Sequence, residues 1–121
     1  MLTARKQLKP EVQPPPPAKS AAATLTIAEL LTRLIVTSGT AAISLTLPTG
    51  TLTDAGLVPA FAVNDCFDWN LINTATSLGA VTMVAGTAHT IVGSPTVAIG
   101  TSGGFRTRKT AANTFVTYRL H

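Results

Sequence analysis

Four consecutive prolines, Pro14 to Pro17, constrain this chain more than any other feature. Proline fixes φ and has no N–H to donate, so the segment around them is neither a helix nor a central strand. With Pro10 upstream, residues 1–20 favour an extended polyproline course at ~3.1 Å per residue, a reach of about 60 Å. Leu2, Leu8 and Val12 are too few to bury a core there, so the arm is expected to hold shape only against something else. The charge is also uneven. Arg5, Lys6, Lys9 and Lys19 against Glu11 give the first twenty residues a net +3 of the total +4. The chain of 121 residues therefore divides into an extended, basic, proline-rich arm over 1–24 and a single folded body over 25–121.

The body reads as mainly β, an antiparallel sandwich of jelly-roll type with one or two short helices. Thr26 and Glu29 have the capping-box spacing, and Ile27, Leu30, Leu31 and Leu34 follow at a helical period. That helix is short, because Leu34-Ile35-Val36-Thr37 is β-branched and Ser38-Gly39 turns. Leu52 to Val58 has room for one more helical turn. Ile43 to Leu47 alternates apolar with polar, and so does Cys66 to Ile72. In the latter, Phe67, Trp69 and Leu71 face one side while Asp68 and Asn70 face the other. Further strands are expected at Ala80–Ala85, His89–Val92, Thr96–Ile99, Phe105–Lys109 and Thr114–Leu120. Short strands separated by Gly, Pro and Thr define a sandwich or jelly roll.

Composition narrows the function. Charged residues are 12 % of the chain, about half the usual share, while threonine occurs 21 times. So few charges point to a surface covered by other protein; the alternative is a Thr/Ser-coated neutral surface that stays wet. One cysteine, Cys66, excludes an intrachain disulfide framework and a multi-cysteine zinc site, and reads as a reduced, buried thiol. The basic start lacks an apolar core of about 7–15 residues, so it is not read as a signal peptide. The uncharged run from Trp69 to Phe105 is rich in Thr, Ser and Gly and is not read as a membrane span.

No catalytic set emerges, and the chain is not expected to be an enzyme or to carry a metal or cofactor. His89 reads as a strand-edge or loop residue, and His121, the last residue, as frayed. Asp65 and Asp68 lie three apart on a strand and so face opposite sides. Asp54 sits in a turn composition. Gly100 to Gly104 lacks the Lys-Ser/Thr pair and following helix of a phosphate loop and reads as a flexible hairpin loop. Arg106, Arg108 and Lys109 form the body's one basic cluster, either a solvated edge-strand face or a surface for carboxylates or phosphates.

The order of elements resembles the small decoration, or cement, proteins on the heads of tailed bacteriophages. The similarity runs from Ala28-Glu29-Leu30-Leu31-Thr32-Arg33-Leu34-Ile35 through Leu45-Thr46-Leu47-Pro48-Thr49-Gly50-Thr51-Leu52. It continues in Leu71-Ile72-Asn73-Thr74-Ala75 and Val81-Thr82-Met83-Val84-Ala85-Gly86-Thr87. It closes with Thr90-Ile91-Val92-Gly93 and Thr114-Phe115-Val116-Thr117-Tyr118-Arg119-Leu120. The resemblance covers residues 25–120 and implies a β-sandwich that trimerises on the outer capsid surface and clamps major capsid subunits. It implies no enzymatic activity; no small-molecule substrate and no membrane partner are expected. The proline-rich arm departs from the family core. It is expected to act as a docking strap, with Leu2, Arg5, Lys6, Leu8, Lys9, Val12 and Pro14, Pro15, Pro16 and Pro17 meeting the partner. Arg106, Arg108 and Lys109 are a second candidate contact. Two other readings compete. One is a carbohydrate- or receptor-binding fibre module, which needs an exposed aromatic platform. The other is a coat protein whose arm binds nucleic acid, for which the arm's charges are too sparse.

Overall fold

The chain changes sheet at almost every turn, and this sets the architecture of the computed structural model, which describes residues 11–121. The strands are β1 (Ala18–Lys19), β2 (Ala23–Thr24), β3 (Leu34–Thr37), β4 (Ile43–Thr46), β5 (Cys66–Asn73), β6 (Val81–Val84), β7 (His89–Val92), β8 (Thr96–Val97), β9 (Ser102–Ala111) and β10 (Thr114–Arg119). Two helices interrupt them, α1 (Ile27–Leu30) and α2 (Gly50–Ala55). The larger sheet has the order β1-β3-β5-β9-β10-β7 and the smaller β2-β4-β6-β8. The fold is mainly β, with two sheets and two short helices, as the alternation and turn composition require.

The pairings differ from the antiparallel expectation: β1–β3, β3–β5, β2–β4, β4–β6 and β7–β10 are all parallel. Consecutive strands from β1 to β9 alternate between the two sheets. From β1 to β6, a strand that leaves for the opposite sheet returns in its original direction, so its same-sheet neighbour is parallel; β6–β8, β5–β9 and β9–β10 are antiparallel. Among the described residues, only β9 and β10 form a hairpin between consecutive strands. Its loop places Asn113 at φ 56°, a left-handed conformation that Asn tolerates better than most residues.

Between the sheets lies one apolar core of Leu25, Leu30, Ile35, Leu45, Leu47, Trp69, Leu71, Val81, Met83, Val97 and Phe105. Trp69 is fully buried and stacks on Phe105 with centroids 4.5 Å apart. Such a pair contributes about 0.5–1.5 kcal/mol beyond its buried area. Asn73, also buried, ties the sheets together. Its Nδ2 donates to the carbonyls of Gly79 and Val97, and its Oδ1 accepts from the Ala75 N–H. The capping box at α1 is formed as its spacing predicts, with Thr26 and Glu29 exchanging bonds of 3.0 and 3.1 Å.

Three local expectations are corrected. Asp54 lies within α2 rather than in a turn. Gly100 turns at φ 66°, but Ser102, Gly103 and Gly104 already belong to β9. Having no Cβ, Gly103 and Gly104 leave room for the Arg119 guanidinium and the His121 ring. The C-terminus is consequently pinned, not frayed: the His121 carbonyl accepts from the Gly104 N–H at 2.9 Å and from Arg119 Nε at 2.8 Å.

Candidate functional site

The arm is laid along the free edge of β3. Gln13 Nε2 donates to the Thr32 carbonyl at 2.8 Å, Val36 N–H donates to Pro17 O at 3.0 Å, and Ser38 N–H donates to Lys19 O at 2.9 Å. Residues 13–19 thus run parallel to residues 32–38, with Ala18 opposite Val36. Prolines have no N–H for a further strand, so the run closes this edge against additional pairing. Lys19 Nζ sits 2.7 Å from Glu29, a largely covered ion pair that joins the arm to α1. Burial pushes the Glu29 carboxyl up, but bonds from Lys19 and the Thr26 N–H outweigh it and hold the carboxyl below its ordinary value. Glu11 and Arg33 add a bridge of 3.3 Å, exposed at both ends and therefore weak. Of the arm residues predicted to meet a partner, Pro14, Pro15 and Pro16 are exposed, Pro17 is half-buried, and Val12 is 81 % exposed. Leu2, Arg5, Lys6, Leu8 and Lys9 lie outside the described residues.

Arg106, Arg108 and Lys109 sit on β9, between β5 and β10, so theirs is not an edge strand. Arg106 and Arg108 share the outer face, and each has a partner within the chain. Arg106 grips Asp68 on β5 with two bonds, 2.6 and 3.0 Å. These bonds hold the Asp68 carboxyl below its ordinary value and raise Arg106. Arg108 donates to Tyr118 Oη at 2.9 and 2.7 Å and to Asn64 Oδ1 at 2.7 Å. Lys109 alternates to the opposite face and binds Asp54 of α2 at 3.0 Å. The Asn113 N–H, then Lys109, hold Asp54 below its ordinary value. The three cations do not converge on one surface.

The remaining candidates are placed as follows. Asp65 caps a turn by accepting from Ala62 N–H at 2.8 Å, and Asp68 faces outward, so the two carboxylates do not converge. Cys66 is exposed at the start of β5, correcting the expectation of a buried thiol. His89 opens β7, the edge strand of the larger sheet, as expected of a strand-edge residue, but its side chain is buried and both ring nitrogens are hydrogen-bonded. Among the described residues no three His, Cys, Asp or Glu side chains could hold a metal ion. No helix among them is long and apolar enough to cross a membrane.

What the sequence did not reveal is the distribution of exposed apolar surface. A concavity of about 340 Å³ lies between β2, α1 and α2, lined by Leu25, Ile27, Pro48 and Leu52, the last 61 % exposed. Val58 and Val63 are also exposed on the connection from α2 to β5. A second concavity of about 500 Å³ is lined by Ala41, Ala42, Leu78, Ala98 and Ile99, with Leu78 66 % exposed. Neither has a charged side chain in its wall. Both are assembled from segments far apart in the chain around the smaller sheet, so no single stretch signals them. In comparisons with protein-family models, curated proteins and solved structures, nothing matches the chain.

Proposed function

We propose that this chain is a structural decoration protein of a viral head, binding the outer capsid surface as a trimer and bracing neighbouring capsid subunits. The observation that carries this reading is the pair of uncharged apolar concavities on a body that also presents an anchored arm. Such surface gains free energy by being covered with protein. A trimer docking three bodies and three arms makes each later contact effectively intramolecular. The arm divides into two parts. Residues 13–19 are fastened to their own β3, which leaves residues 1–12, with Leu2, Leu8, Val12 and most of the arm's cations, as the docking strap. The carbohydrate-platform reading loses its support, because Trp69 is in the core.

Cosedimentation with heads assembled without this protein tests the proposal. The full chain is expected to saturate the heads in simple ratio to the major capsid protein. Deletion of residues 1–12 is expected to weaken binding by at least tenfold without changing the circular dichroism. Failure of the full chain to bind heads overturns the reading.

A further inference from the structure

The direction of the arm selects one of the two concavities. Residues 13–19 run parallel to residues 32–38, and the Gln13 amide and Glu11 carboxylate are bonded to Thr32 and Arg33, just past α1. Traced upstream, the chain therefore leaves the larger sheet where β3 begins. β3 ends at the opposite end of the sheet, beside Gly39, and β4 starts back from there. The concavity lined by Ala41 and Leu78 lies at that far end, since Gly79 lies against Gly39 and the Ile43 N–H donates to the Ala80 carbonyl. The concavity lined by Ile27 and Leu52 lies at the near end, where α1 leads into β3 and β4 leads through Pro48 into α2.

The near concavity is apolar and open. Ile27 lies against Gly56 at the end of α2, where a Cβ would collide with its methyl group. Leu52 is 61 % exposed, and Leu31, the C-cap of α1, is 40 % exposed. Thr51, Leu52 and Ala55 give α2 an exposed face without charge, because Asp54, its one charged residue, turns to Lys109. A dry cavity of about 150 Å³ holds benzene. The 340 Å³ here therefore admits leucine side chains.

The segment that reaches this end first is the chain's own beginning. The ten residues before Glu11 extend about 30 Å in polyproline geometry. The four residues of α1, which separate Arg33 from Ile27, rise only about 6 Å. Leu8 is about 10 Å along the chain from Glu11, and Leu2 about 28 Å. Arg5, Lys6 and Lys9 would meet no carboxylate in the concavity wall, so they stay in water and the contact is made by the leucines.

We propose that residues 1–10 fold back along α1 and cover this concavity, with Leu8 against Ile27 and Leu2 against Leu52. The contact belongs to the free chain and stands whether or not the chain decorates a head. A partner that draws the strap away uncovers Leu52, so strap and concavity become available together.

The test uses the full chain with a nitroxide on Thr3→Cys and with the exposed Cys66 removed as Cys66→Ser. The methyl signals of Ile27 and Leu52 are expected to be lost by paramagnetic broadening, while those of Leu78 and Ile99 at the other concavity are kept. Leu2→Ser with Leu8→Ser should restore the lost signals. High salt should not, because the contact is apolar and screening does not weaken it. Kept signals at Ile27 and Leu52, loss at Leu78 and Ile99 instead, or restoration by salt alone would overturn the proposal. So would loss in a mixture of spin-labelled chain with isotope-enriched chain that carries no label, since the occupant is then the arm of a second copy.

Discussion

Trp69 and Thr107 are 38 residues apart, yet they share a buried hydrogen bond of the core. The inward position of Trp69 is legible in the sequence, because Cys66 to Ile72 alternates with period two. Its partner is not, since the pairing of β5 with β9 fixes which threonine of 21 lies beside it. Thr107→Val keeps the shape but leaves the indole N–H unpaired, and is expected to cost about 1–3 kcal/mol in urea unfolding. Combined with Trp69→Phe, which removes the stranded donor, the two costs should be clearly less than additive. His89 and Asn73 escaped the sequence reading for a similar reason. A polar side chain at a strand end is expected in water unless distant groups satisfy it, and those groups arrive only through the fold.

Most elements are legible from local signals. The Thr26–Glu29 spacing places α1, and alternation places β4, β5 and β6. Sheet membership is not legible, because a short turn looks the same whether it closes a hairpin or crosses to the opposite sheet. Helix α2 shows how close the crossings are. A Cβ at Gly50 would collide with the backbone carbonyls of Asn113 and Ala88. Gly50→Ala should therefore destabilise the fold by about 1–3 kcal/mol or more, measured by thermal unfolding. The arm makes a second prediction. Deleting residues 1–12 should leave a monodisperse folded body, whereas deleting 1–19 strips the proline guard from β3. The longer deletion is expected to associate with rising concentration in size-exclusion chromatography. The Glu29 pair gives a third, with its own pH range. Its folded pKa lies below the unfolded value of 4.5, so its contribution is present above that value and lost as pH falls below it. Glu29→Gln should flatten this acid limb in pH-dependent urea titrations.

For the molecule as a whole, low charge and abundant threonine point to a surface meant for contact, and the fold gathers apolar positions into two uncharged concavities. The basic cluster anticipated on the body is divided between two faces of β9: Arg106 and Lys109 are ion-paired to Asp68 and Asp54, while Arg108 bonds the uncharged Tyr118 and Asn64 side chains. In the proposed decoration role, docking rests chiefly on the concavities and on the arm upstream of Gln13. The most direct measurement is the copy number of this chain in purified particles, by quantitative mass spectrometry against the major capsid protein. Hundreds of copies in simple ratio to that protein are the expected result. A handful per particle, or none, would contradict a decoration role.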